Sequence, residues 1–179
     1  LEKRWCTIER KTVAAALVML TNWRKDRPFY DPVCGSGTLC IEAALIGHNI
    51  APGFNREFAC ESWDWFSQEI MENVRSAAEE KADYDIVLDI TGSDINGRMI
   101  EIAKANAEEI GLGSSIVFKQ QAVKDFKTDK EYGVIVANPP YGERLGEEET
   151  VRKLYKEMGD VFRPLKTWSE YILTSDLAF

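Results

Sequence analysis

The sequence predicts an α/β domain, doubly wound around a mostly parallel sheet, and three observations predict it. Short apolar runs such as Gly133-Val134-Ile135-Val136-Ala137 alternate with amphipathic helical stretches. A Gly-rich turn, Asp31-Pro32-Val33-Cys34-Gly35-Ser36-Gly37-Thr38, joins one such run to a helical one, the half-motif of doubly wound folds. The runs close on residues that leave a sheet: Asp31, Asp94, and the pair Pro139-Pro140.

Composition narrows the function. The 179 residues make one domain with enough chain for a core, and 45% apolar with 29% charged residues is ordinary for a globular protein. No apolar run reaches the about 18 residues of a membrane helix, and no signal peptide is visible, so the expected location is the cytoplasm. Cys6, Cys34, Cys40 and Cys60 lack paired spacing and read as reduced, mostly buried thiols. His48 is the only histidine, which argues against a Cys/His zinc site or a histidine triad; it is expected at a helix end or on the surface. The net charge of −8 gives no basic footprint for a polyanion. Either the substrate is not a polyanion, or another domain supplies the phosphate-binding surface.

In chain order, Val13, Ala14, Leu17 and Val18 mark a helix over 8–23, ended by Asp26-Arg27-Pro28. Phe29-Tyr30 starts the first strand, and Leu39, Ile41, Ala43, Ala44, Leu45 and Ile46 form the helix after the Gly-rich turn. Gly35 and Gly37 allow the backbone to approach a ligand closely. The dinucleotide fingerprint is incomplete, because Cys40 holds the third glycine position. An acidic residue at the strand end suits an ammonium group better than a pyrophosphate. S-adenosylmethionine, with an amino-acid head and a sulfonium, fits Asp31, Pro32, Gly35 and Gly37; a plain tight turn would need no ligand.

The long connection over 48–66, with Arg56, Trp63 and Trp65, is expected to pack its aromatics onto the sheet. A helix over 67–81 should turn Ile70, Met71 and Val74 inward. The second strand, 86–94, ends in Asp94, which can accept from both hydroxyls of a ribose or cap the next helix, 99–110. Ile100, Ala103 and Ala107 are that helix's inner face. Ile116-Val117-Phe118 forms the third strand, and Gln121 follows where these folds meet a cofactor's adenine edge. A helix over 150–165 presents Val151, Leu154, Tyr155, Met158, Val161, Phe162 and Leu165, before a fifth strand within 168–174.

The fourth strand runs into Asn138-Pro139-Pro140-Tyr141. Neither proline has an N–H, so the turn is rich in acceptors and poor in donors. The Asn138 amide carbonyl and the Pro139 carbonyl can converge on one amino group, with the Tyr141 ring beside them to stack on a heterocycle. A ring-conjugated amine is a poor nucleophile because its lone pair is delocalised. Acceptors around its hydrogens favour pyramidal nitrogen with the lone pair aimed at an electrophile, which is preorganised electrostatics. The same residues could instead make a Pro-Pro turn that Asn caps and Tyr packs. Arg144, in the Gly-rich stretch that follows, is the best cation near the site.

With these motifs in this order, the chain resembles the class I S-adenosylmethionine-dependent methyltransferases that act on exocyclic amines. Ala51-Pro52-Gly53-Phe54-Asn55-Arg56 with Trp63 resembles more narrowly an RNA methylase group, also called N6-adenine-specific DNA methylases, that includes RlmL-like 23S rRNA guanine-N2 methyltransferases. The resemblance implies a Rossmann-like sheet, S-adenosylmethionine as cofactor, no metal, and an RNA substrate, with guanine N2 of 23S rRNA as the target and adenine N6 of DNA or RNA as the alternative. It implies Asn138, Pro139 and Tyr141 as catalytic residues, and Asp31, Pro32, Gly35, Gly37, Asp94, Gln121 and Asn138 as cofactor-binding ones. Members of the group carry an upstream RNA-binding THUMP domain and two further strands. The expectation is therefore a catalytic domain over 1–179, part of a longer protein whose other domain binds rRNA. A nicotinamide-dependent oxidoreductase and a non-catalytic cofactor-binding module are the rival readings on this fold.

Overall fold

A computed structural model of the chain describes residues 8–140 and 148–174; Tyr141 and Arg144 lie outside them. Helix α1 (Ile8–Leu20) stops short of Trp23. The Thr21 hydroxyl donates back to Val18 O (2.7 Å) and accepts from the Trp23 amide (3.1 Å), turning the chain. Trp23 then packs edge-on against Phe29, their ring centroids 5.5 Å apart.

Phe29 opens strand β1 (Phe29–Asp31), which is buried throughout. It pairs in parallel with β2 (Ile90–Asp94) on one side and β4 (Val134–Ala137) on the other. Strand β3 (Ile116–Gln120) lies beyond β2, and β5 (Ser169–Ile172) beyond β4. The order is β3-β2-β1-β4-β5, all parallel. From β1 the chain winds outward one way through β2 and β3, then the other way through β4 and β5. The gap between β1 and β4 is therefore a topological switch point, where such sheets open a ligand crevice at their carboxyl ends.

Alternation along the central strands builds a core on each face. Phe29, Ile90, Val134 and Val136 meet α1, α2 (Thr38–Gly47) and α4 (Gly97–Glu109), including Val18, Ala43, Ile100 and Ala103. Tyr30, Ile135 and Ala137 point the other way, onto Met158 and Phe162 of α5 (Glu148–Phe162) and onto Val123. No helix among the described residues is long and apolar enough to cross a membrane.

Three features depart from expectation. Strand β2 starts only at Ile90, and Val87 is 90% exposed. Helix α3 (Gln68–Glu79) does not turn Ile70 and Val74 inward, each being 58% exposed. Its half-buried face is Met71, Arg75 and Ala78, because the Arg75 guanidinium binds the preceding loop: it donates to Phe54 O, Arg56 O and Glu61 Oε1, the last at 2.7 Å. A polar clamp, not the apolar stripe, orients this helix. The aromatics of 48–66 stay off the sheet as well: Trp63 and Trp65 lie exposed, 5.0 Å apart, and Arg56 stands over Phe58.

His48 does sit at a helix end, as the C-cap of α2, but it is buried. Its Nδ1 lies 2.8 Å from Asp83 O and its Nε2 2.8 Å from Ser115 Oγ. Both ring nitrogens are engaged, tying the end of α2 to the segment that follows Glu79 and to the residue that precedes β3.

Candidate functional site

At the carboxyl edge of the sheet, the central strand ends in Asp31, which is 1% exposed. Its Oδ1 accepts from the Val33 amide at 3.1 Å. Burial pushes its pKa up to about 8; the Val33 hydrogen bond opposes that, and the nearby Asp94 carboxylate adds to it. Pro32 is also fully buried, fixing the start of the turn.

Asp94, at the end of β2, ties this turn to the neighbouring one. Its Oδ2 accepts from the Gly35 amide (3.1 Å) and its Oδ1 from the Asn96 amide (2.8 Å). A carboxylate has about four lone-pair sites, so each oxygen can accept one more donor. Asp94 does not cap α4. The cap is Asn96, whose side chain accepts from the Arg98 amide at 3.0 Å. A second side-chain tie runs from Asn106 Nδ2 on α4 to Ser36 O (3.0 Å). The Ile95-Asn96-Gly97 stretch signals such a cap in sequence, and Asp94 beside it obscured that.

The two glycines of the turn differ in surroundings. Gly35 has φ +52°, and a Cβ there would meet only Met99 Cε at 3.8 Å, leaving space for a ligand. Gly37 has φ +83°, and a Cβ would lie 2.8 Å from the Phe118 ring and 3.0 Å from Ala103 Cβ. Gly37 thus faces protein. Cys40, at the third glycine position, is fully buried, and the missing space is returned on the facing strand: a Cβ on Gly92 would sit 2.8 Å from Cys40 Sγ. Gly37→Ala is accordingly expected to lower the melting temperature by roughly 3–10 °C, from about 1–3 kcal/mol of overpacking and backbone strain. Gly35→Ala should lower it less. Thermal unfolding showing the reverse order would contradict this assignment.

Gln121 follows β3, its amide donating to Asp94 O (3.0 Å) and its side-chain Nε2 to Asp125 O (2.8 Å). The adjacent Gln120 reaches back over the β2–α4 turn. Its Nε2 donates to Ile95 O (3.2 Å), and a Cβ on Gly97 would lie 2.7 Å from its Oε1.

Pairing of Tyr30 with Ile135 sets β1 and β4 side by side, so Asp31 and Asn138 reach the same sheet edge. There Asn138 is exposed, Pro139 fully buried and Pro140 exposed. The turn is anchored by its first proline, leaving the Asn138 side chain on the open side. Beneath the edge, the Tyr30 hydroxyl lies 2.7 Å from Ser93 Oγ, and burial raises its pKa to about 12. The Tyr30 ring stacks on Phe126 at 4.0 Å. The structure brings together Asp31, Pro32, Gly35, Asp94 and Gln121, and sets Asn138 and Pro139 on the adjoining strand end.

Asp31 makes stability depend on pH. Its pKa of about 8 in the folded state exceeds the ordinary 3.8, so between those values the folded state binds more protons than the unfolded one. Its contribution to stability therefore falls as pH rises through that window. Asp31→Asn cannot ionise, so its melting temperature should gain on wild type from about pH 4 to about pH 8. Melting curves with a pH-independent gap would contradict the buried, proton-holding carboxyl.

A family model described as UPF0020, RMKL-like, methyltransferase domain, matches residues 7–179. YpsC of Bacillus subtilis, provisionally named an RNA methyltransferase, is 62% identical over 170 residues, 95% of this chain and 44% of its own length. The ribosomal RNA large subunit methyltransferase K/L of Hydrogenovibrio crunogenus is 36% identical over 176 residues, covering 92% of this chain and 24% of that protein. Among solved structures, SMU.472, a provisionally named methyltransferase complexed with SAH, superposes with a TM-score of 0.90 at 57% identity, over 93% of this chain and 44% of its own. The chain thus spans less than half the length of these relatives.

Proposed function

This chain belongs to the RMKL-like methyltransferase domain family, and we propose that it binds S-adenosylmethionine and methylates an exocyclic amino group of a nucleobase in RNA, guanine N2 of 23S rRNA. The observation that carries the reading is one sheet edge holding two receptors: a carboxylate–glycine cradle of Asp31, Gly35 and Asp94, and the acceptor-rich turn at Asn138. The SAH complex of SMU.472 and the rRNA methyltransferase name of the K/L relative support cofactor and substrate class.

The cradle fits the cofactor's chemistry. Space at Gly35 admits the amino-acid head, and Asp94 retains lone pairs for two ribose hydroxyls. Asp31, which otherwise holds its proton, ionises when the ammonium and sulfonium lie beside it, because an opposite charge favours its carboxylate form. Pro32 and Gly37 hold the turn's shape, and Gln121 lies at the adenine edge. Bound S-adenosylmethionine supplies an electrophilic methyl group. The Asn138 amide oxygen and the Pro139 carbonyl accept the amine's hydrogens, and those bonds strengthen as its nitrogen becomes pyramidal and positive. Tyr141 stacks on the base. With a net charge of −8, RNA affinity is assigned to a further, THUMP-type domain of the longer protein.

The test is methyl transfer by the full-length protein from labelled S-adenosylmethionine to unmodified rRNA, with mass spectrometry of the digested nucleosides. N2-methylguanosine is the expected product. N6-methyladenosine would move the target to adenine, and absence of label would sink the assignment.

A further inference from the structure

We propose that Tyr155 is a positioning residue for the transfer step, holding the Asn138-Pro139-Pro140 turn in the conformation that presents its acceptors. The inference rests on the amine-receptor reading of that turn.

Proline chemistry leaves the turn little freedom. The two rings fix φ of Pro139 and Pro140 near about −65°. Asn138 and Pro139 each precede a proline, which confines their ψ to extended values. Two torsions escape both restraints: φ of Asn138 and ψ of Pro140. They are the hinges at either end of a stiff unit, so a bond to the Pro140 carbonyl limits how that unit swings, and with it the Asn138 and Pro139 acceptors.

The Tyr155 hydroxyl meets that carbonyl, donating to Pro140 O at 3.4 Å. It also lies 3.1 Å from Thr174 Oγ1. A phenol has one proton, so with it directed at Pro140 the oxygen accepts from Thr174. Thr174 is itself placed by the sheet, because the preceding Leu173 amide donates to Ala137 O (2.9 Å) at the end of β4. Tyr155 thus bridges the exits of two adjacent strands. The Tyr155 ring is half-buried against the core beneath β4, which includes Ile135, Ala137, Met158 and Phe162, so the donor is mounted on a packed helix. Nothing in the apolar stripe of α5 distinguishes Tyr155 from a core aromatic; only its hydroxyl's partners do.

The test is Tyr155→Phe in the full-length protein, which keeps the ring and removes the hydroxyl. Single-turnover methyl transfer should fall about 3- to 10-fold, the cost of one neutral hydrogen bond. Calorimetric affinity for S-adenosylhomocysteine and the melting temperature should stay at wild-type values. Hydrogen exchange at the Leu173 amide, which donates to Ala137 O beside the turn, should quicken. Tyr171→Phe is the control: its hydroxyl accepts from the Asn22 amide (3.1 Å), away from the turn, and its loss should leave the rate unchanged. A Tyr155→Phe enzyme with wild-type rate or unchanged exchange overturns the proposal. So does one whose affinity, melting temperature and rate fall together, since that is a packing defect. If the wild-type protein methylates no nucleobase, the amine-receptor reading fails instead, and the exchange measurement still decides whether Tyr155 holds the turn.

Discussion

Asn138→Ala is expected to lower single-turnover methyl transfer by about 100- to 1000-fold while leaving affinity for S-adenosylhomocysteine near wild type. The magnitude follows from removing one preorganised group from an oxyanion hole, here with the sign reversed: an acceptor that acts mainly as positive charge develops on nitrogen. Asn138→Asp should lose less, because a carboxylate still accepts from an amine. The structure sharpens the contrast with a purely structural asparagine. Pro139 is the buried anchor of the turn and Asn138 is exposed, so truncating Asn138 should cost less stability than truncating Pro139. A variant that keeps near-wild-type single-turnover rates would show that the amine receptor is wrong. One that loses stability and cofactor affinity together would make Asn138 a structural residue.

Asp94→Ala should show the largest effect on binding. Two ribose hydroxyls donating to a carboxylate make charge-assisted bonds of about 1.5–3 kcal/mol each, so a loss of 100-fold or more in affinity is reasonable. The variant also frees the Gly35 and Asn96 amides, loosening both walls of the cradle. Asp94→Asn keeps one acceptor oxygen and should fall between. Because Asn96 caps α4, neither change should unwind that helix. Calorimetry giving unchanged affinity for Asp94→Ala would reduce Asp94 to a tie between two turns.

Much of this was legible because the central strands are buried on both faces. Continuous apolar runs with abrupt ends locate β1 and β4, and those ends are where Asp31 and Asn138 stand. The amphipathic face of α5 and the inner face of α4 followed from period alone. Other features depended on tertiary partners. An apolar stripe says that a helix has such a face, not that anything covers it, and Ile70 with Val74 shows the difference. His48 stands at a helix end as expected, but its burial is not legible in the sequence because its partners, Asp83 and Ser115, are far away along the chain. Gly37 and Gly92 carry no mark of what they face; the crowding by Phe118 and Cys40 exists only once the strands are registered. Tyr155 follows the apolar stripe of α5 and packs against the core, and its second role lies in one oxygen atom.

The parallel sheet has a kinetic consequence. Its central strand is early in the chain, yet it pairs with Ile90 on one side and Val134 on the other, so no hairpin can nucleate it. Each pairing must first close a long loop, and chains dominated by such distant contacts fold slowly. The cradle needs β1 joined to β2, and the acceptor turn needs β4 joined to β1. Both halves of the site are therefore late products of the same search. While the search runs, both edges of β1 stay open, and the all-apolar Val134 strand can pair on the side that the Ile90 strand must take. What separates the correct order from the swapped one is the crossover helices, so substitutions that weaken α2 or α4 should appear first as slow or branched refolding.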